Sequence, residues 1–214
     1  TLFPYTTLFR SCKGAPHAEE QLREAISLGA DEAVLLTDRR MAGADTWCTS
    51  YELAAAIKRF EPDIVFCGMQ AIDGDTAQVG PGIARRLGIS QITYVSKIRE
   101  VDLERKKIVA ERLLEGGTQV VEANLPALLT VVKDINQPRL PSLLGIRKAS
   151  RTQIPLWGAS DLGADPKTVG LSGSPTQVVK VFTPPPRSGG EVIVGEVGEV
   201  VPKLAEKLLA LKLF

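Results

Sequence analysis

Apolar and polar positions change period several times along the chain, and each change marks an element. From Pro16, the segment PHAEEQLREAISLGAD spaces Leu22, Ala25, Ile26 and Gly29 three and four apart, which predicts a helix stopped by a glycine. EAVLLT (32–37) and DIVFCG (63–68) are apolar runs of strand length. Between them, TSYELAAAIKRF lines up Leu53, Ile57 and Phe60 on one face, and Thr49 stands three residues before Glu52, the spacing of a capping box. Strand, helix and strand in this succession predict a right-handed crossover within a parallel sheet. Val79, Ile83 and Leu87 then mark another apolar helix face that ends at Gly88, with Asp75 or Thr76 as its cap.

After this helix the period becomes two. ITYVSKIREVD and KKIVAERLLEGGTQVVEANLPALLTVV alternate, with Glu115, Gly116 and Gly117 as a turn, and predict a hairpin followed by a third strand that extends the sheet. Pro138 and Pro141 frame a loop that leads to a short helix. From about Thr152 to Pro186 the chain is rich in Gly, Ser and Pro and reads as an arm, interrupted by one strand at TQVVKVF (176–182). At the end, Val201, Leu204, Leu208 and Leu211 recur at helical spacing; that stripe packs either on another subunit or back on its own domain. The expected fold class is α/β, a mostly parallel sheet flanked by helices, with a hairpin extension and a C-terminal arm ending in a helix.

The opening TLFPYTTLFRSC departs from this pattern. It repeats Thr-Leu-Phe, lacks an initiator Met and has no basic region before an apolar core, so it is not a secretory signal. It reads as adaptor-like text, and residues 1–12 are set aside as a non-native scar. The expected organisation is then a nucleotide-binding domain over 13–150 and an arm over 151–214. Composition narrows the function classes further. Lys and Arg total 26 against 25 Asp and Glu, a net charge of +1, which supplies no field for nucleic acid or anionic lipid. No apolar run approaches the ~20 residues of a membrane-spanning helix. Cys12, Cys48 and Cys67 are odd in number and form neither a C-x-x-C pair nor a disulfide framework, which suits a reducing, cytoplasmic setting.

The richest chemistry lies in CGMQAIDGDTAQVGPGIARRLGI (67–89), at the C-terminal end of a strand, where parallel sheets bind ligands. The first N–H groups of the following helix suit a phosphate, Thr76 and Gln78 offer neutral hydrogen bonds, and Gly74 and Gly80 permit close approach. Asp73 and Asp75 would repel a diphosphate, so they are assigned to ribose hydroxyls or backbone donors. The alternative is a capping loop without ligand, since every helix needs its first N–H groups satisfied. Neither G-x-x-x-x-G-K-[ST] nor G-x-G-x-x-G occurs.

G-M-Q-A-I-D-G-D-T-A-Q-V-G-P resembles the nucleotide-binding signature of the electron transfer flavoprotein β (small) subunit family. LGADEAVLLTDRRMAGADTWCTSYELAAAIK, VVKDINQPRLPSLLGIRKA and GLSGSPTQVVKVFTPPP resemble the same family, closest to its bifurcating and FixA-type branch. The resemblance implies a Rossmann-like adenine-nucleotide domain that carries AMP or FAD and pairs with an α subunit bearing the redox FAD. It assigns the ligand loop to Gly68, Gln70, Ala71, Asp73, Gly74, Asp75, Thr76, Gln78, Val79 and Gly80. It also implies that the family's first strand, and a loop that helps seat the adenosine, precede Lys13. Acyl-CoA or other dehydrogenases are the implied partners, with NADH as electron donor in the bifurcating branch. Their docking loop corresponds to Pro141, Leu143 and Ile146, whereas the residues alone favour packing of Leu143, Leu144 and Ile146 on the domain.

No catalytic or metal-ligating residue is expected. His17 is the single histidine, at a helix start, and cannot build a dyad. Glu111, Glu115 and Glu122 read as charges on the solvent face of a hairpin, and Cys67 as a small core residue. A stand-alone adenine-nucleotide-binding regulator is the rival reading; it would keep the loop but have no use for the arm.

Overall fold

Burial turns the apolar runs into strands. In the computed structural model, which describes residues 7–72, 74–186 and 189–211, β1 (Phe9–Lys13) pairs in parallel with β2 (Glu32–Leu36), so residues 9–12, set aside in the sequence reading, form part of a sheet strand because each finds a backbone partner in β2; four of the five β2 residues are buried. Between them, α1 (Glu19–Leu28) buries Leu22 and Ile26 and stops at Gly29, whose φ of 120° suits glycine. β8 (Leu156–Trp157) adds to the far side of β2 and completes a three-stranded parallel sheet.

The second sheet has five strands in the order β3 (Ile64–Gly68), β7 (Ala127–Val131), β4 (Ser90–Asp102), β5 (Lys107–Leu114) and β6 (Gly117–Asn124). β3, β7 and β4 are parallel, and β4, β5 and β6 form an antiparallel meander. Parallel pairs predominate over the two sheets, but β2 and β3 do not pair with each other, contrary to the single crossover expected. Their connecting helix, α2 (Thr46–Ile57), serves both sheets instead: Ala56 packs with Val34, Leu36 and Met41, and Ala54 packs with Val65, Ile83 and Leu128. The alternating stretch also holds one strand more than expected. The chain reverses after Asp102 as well as after Leu114, and β7, a buried central strand, returns between β3 and β4.

α2 starts earlier than its capping-box spacing implies. Asp45 is the cap, accepting from the Cys48 amide at 3.0 Å, so Thr49 and Glu52 lie inside the helix. Glu52 is fully buried; its Oε2 meets the Lys13 ammonium at 2.5 Å and its Oε1 accepts from the Gly170 amide at 2.9 Å. α4 (Leu143–Arg151) is capped by Ser142 and seated on the end of α1, where Gly145 leaves room for the Ser27 carbonyl.

The first compact unit extends to Gln177, beyond the boundary expected after residue 150, because Ile154, Ala159 and Val169 bury themselves in its cores. The strand expected over 176–182 does not form: its alternation has no neighbouring strand to pair with, and Val178, Val179, Val181 and Phe182 are exposed. The second unit, from Val178 onward, contains α6 (Val197–Ala210), which buries no residue and carries an ion pair between Lys207 and Glu191. Among the described residues no helix is long and apolar enough to cross a membrane.

Candidate functional site

The parallel pairing of three strands ends at one rim. Gly68 of β3 is level with Val131 of β7, and Val131 is level with Val95 of β4. From that rim the chain runs through residues 69–78 into α3 (Val79–Leu87), which covers β3 and β7 with Ile83 and Ala84 and stops at left-handed Gly88. The loop is coiled rather than extended, because Asp75 and Ala77 adopt φ angles of 49° and 53°. Asp75 donates its amide to the Ala71 carbonyl at 3.0 Å, and the Gln70 side-chain amide donates to Asp75 Oδ1.

This coiling changes the cap. Gln78, not Asp75 or Thr76, occupies the N-cap position of α3, and among the described residues no side chain caps the helix. The amides of the first turn and the positive end of the helix dipole are therefore presented beside the rim without a protein acceptor from a cap. Gly68, Gln70, Ala71, Gly74, Asp75, Thr76 and Gln78 are all exposed, and the space a Cβ would take at Gly68 or Gly74 is open. Backbone donors, open glycine positions and neutral polar side chains are groups that could hold a phosphate. Asp73 lies outside the described residues.

Two residues of the loop signature face the protein. Val79 packs on the core shared by Ala54, Val65 and Ile83. Gly80 is buried, and a Cβ there would stand 2.5 Å from Thr130 Cγ2. Its lack of a side chain sets how closely α3 approaches β7. Cys67, just before the rim, has its thiol pushed up to about 11 by burial, with Arg10 opposing, so it stays protonated and inert at neutral pH. An alternating strand marks neither Thr130 nor Tyr94, also at this rim; only the register between β4 and β7 brings Tyr94 to Thr130, whose methyl group meets Gly80 of α3.

The predicted docking residues lie elsewhere, on the loop before α4 and its first turn. The expected packing of this segment is not observed: Leu143 is 86 % exposed, Leu144 78 % and Ile146 49 %, and Pro141 is exposed as well. α4 instead seats its opposite side, burying Ala149, while Arg139 donates to the Leu28 carbonyl and Lys148 to that of Ala30.

The family model for the electron transfer flavoprotein domain matches residues 12–162, a span that holds the whole second sheet, the 69–78 loop and α4. The chain belongs to the electron transfer flavoprotein family. It is 50 % identical over 196 residues to the electron transfer flavoprotein subunit beta of Thermoanaerobacterium thermosaccharolyticum, covering 91 % of this chain and 74 % of that protein. It is 48 % identical over 207 residues to the caffeyl-CoA reductase-Etf complex subunit CarD of Acetobacterium woodii, covering 96 % and 78 %. Protein FixA of Azorhizobium caulinodans is 45 % identical over 216 residues, covering 92 % and 77 %. Within the family this chain is thus similar to β subunits and to the FixA branch.

Proposed function

We propose that the chain is the β subunit of a two-subunit electron transfer flavoprotein, binding AMP or FAD at the rim of β3, β7 and β4 and pairing with an FAD-bearing α subunit. The observation that carries this reading is the coiled 69–78 loop delivering an uncapped helix terminus to the ends of parallel strands, in a chain about half identical to such subunits. The first-turn amides of α3 would take the phosphate. Thr76 and Gln78 would add neutral hydrogen bonds, and Asp73 and Asp75 would face ribose hydroxyls or backbone donors. A bound flavin would supply electron exchange with NADH, as in bifurcation, whereas AMP would fill the site without redox chemistry.

The chain's own residues have two further tasks under this reading. The apolar residues after Val178 would clasp the α subunit; a free-standing regulatory protein would have no use for them. Pro141, Leu143 and Ile146 would dock an acyl-CoA or other dehydrogenase; their exposure supports this, and a relative is named as a subunit of a caffeyl-CoA reductase-Etf complex. The test is to co-express the chain with an α subunit, isolate the complex, and identify the nucleotides released on denaturation. One adenine nucleotide for each β chain, beyond the FAD of the α subunit, is expected. A complex with α-subunit FAD alone would refute the site.

A further inference from the structure

β4 breaks register with β7 where the parallel strands end. Ile92 pairs with Leu129 and Val95 with Val131, so Thr93 and Tyr94 together stand opposite the single residue Thr130. Tyr94 absorbs the extra residue with a φ of 58°, a left-handed conformation in which a bulky side chain is an outlier. Two hydrogen bonds hold the bend. The Tyr94 amide donates to Thr130 Oγ1 at 3.0 Å, and Arg112 donates to Thr93 Oγ1 at 2.9 Å. Thr130 is buried, and its methyl group fills the space left by Gly80. One threonine thereby ties the first turn of α3 to the bend in β4.

Such strain persists only where the surroundings over-determine it, and glycine would form the same bend without it. Tyr94 is 37 % exposed, so part of it is open to a ligand at this rim. The strand order places it two strand spacings, ~10 Å, from Gly68 across the rim. We propose that Tyr94 contacts the ligand directly, its ring being the face on which the flat heteroaromatic ring of the nucleotide stacks while the first turn of α3 holds the phosphate. This rests on the nucleotide reading above. An aromatic face suits adenine and isoalloxazine alike.

The full chain, freed of nucleotide, is titrated with AMP and separately with FAD, as wild type, Tyr94→Phe, Tyr94→Gly and Tyr94→Asn, and each ligand-free protein is melted. Tyr94→Phe is expected to bind within about two-fold of wild type, and Tyr94→Gly and Tyr94→Asn about ten-fold or more weakly. The melting temperatures of the Gly and Asn variants are expected to hold or rise, since both residues accept the bend. Because FAD also carries adenine, an equal loss for both ligands identifies adenine as the stacked ring, and a loss confined to FAD identifies isoalloxazine. With wild-type binding intact, the proposal is overturned if Tyr94→Gly binds normally, if Tyr94→Phe loses as much as Tyr94→Gly, or if Gly and Asn lower stability and affinity together. A wild-type chain that binds neither ligand overturns the nucleotide reading, and this proposal with it.

Discussion

Glu52 has no side-chain exposure and Lys13 only 15 %, so their ion pair is held almost entirely out of water, joining α2 to β1 and, through the Gly170 amide, to the first residue of α5 (Gly170–Gly173). Removing one partner strands the other, and Glu52→Ala is expected to lower stability by about 3 kcal/mol. Replacing both with apolar residues of similar volume should recover much of that loss. Urea denaturation of the single and double variants checks both outcomes. Asp38 gives a different signal. Hydrogen bonds from the Arg40 side chain and amide hold its carboxyl at about 2, below the ordinary 3.8. A depressed folded-state value stabilises above the unfolded one and is lost as pH falls through the folded one. Asp38→Asn should therefore destabilise at pH 7, with the difference shrinking between about pH 4 and pH 2. Thermal melts of both proteins across that range measure it.

α3 shows at the level of an element what spacing reveals and what it hides. Its apolar face and terminal Gly88 were legible because both are local. The Gly80–Thr130 contact was not, because it joins residues fifty positions apart in a register that no local pattern encodes. Gly82 behaves likewise, since a Cβ there would stand 2.7 Å from Ser50 Oγ and 2.8 Å from its Cβ, at the crossing of α3 and α2. Alanine in a helix interior is ordinarily better than glycine by about 1 kcal/mol. Here the overlap should reverse the sign, and Gly80→Ala is expected to lower stability by about 1–3 kcal/mol, read as a lower denaturant midpoint. The separation of β2 from β3 is hidden for the same reason: strand–helix–strand succession fixes neighbours in sequence, while hydrogen-bond partners are chosen by the whole sheet. Glu52 misled because the same spacing serves a capping box and a buried ion pair.

The fold class was legible in the periods, and the candidate loop in its glycines and polar residues, but the apolar surface the chain leaves uncovered is a property of the whole molecule. In the second unit Val197, Val201, Leu204 and Leu209 are exposed along α6. A chain ending at Gln177 should keep the melting behaviour of the first unit and fail to co-purify with an α subunit; full co-purification would exclude the clasp. In the first unit the corresponding surface is the turn that carries Leu143. A core leucine cut to alanine costs about 2–5 kcal/mol of folding stability. Leu143 is 86 % exposed, so Leu143→Ala should change stability by less than about 0.5 kcal/mol. If a dehydrogenase covers it on docking, the same change removes about 1.5–3 kcal/mol from the complex, which a partner-dependent turnover assay would register as a higher half-saturation concentration for the flavoprotein. Normal turnover with an unchanged melting temperature would leave Leu143 as surface without a partner. The combination expected is the opposite one, weaker electron delivery from a protein that melts as wild type does.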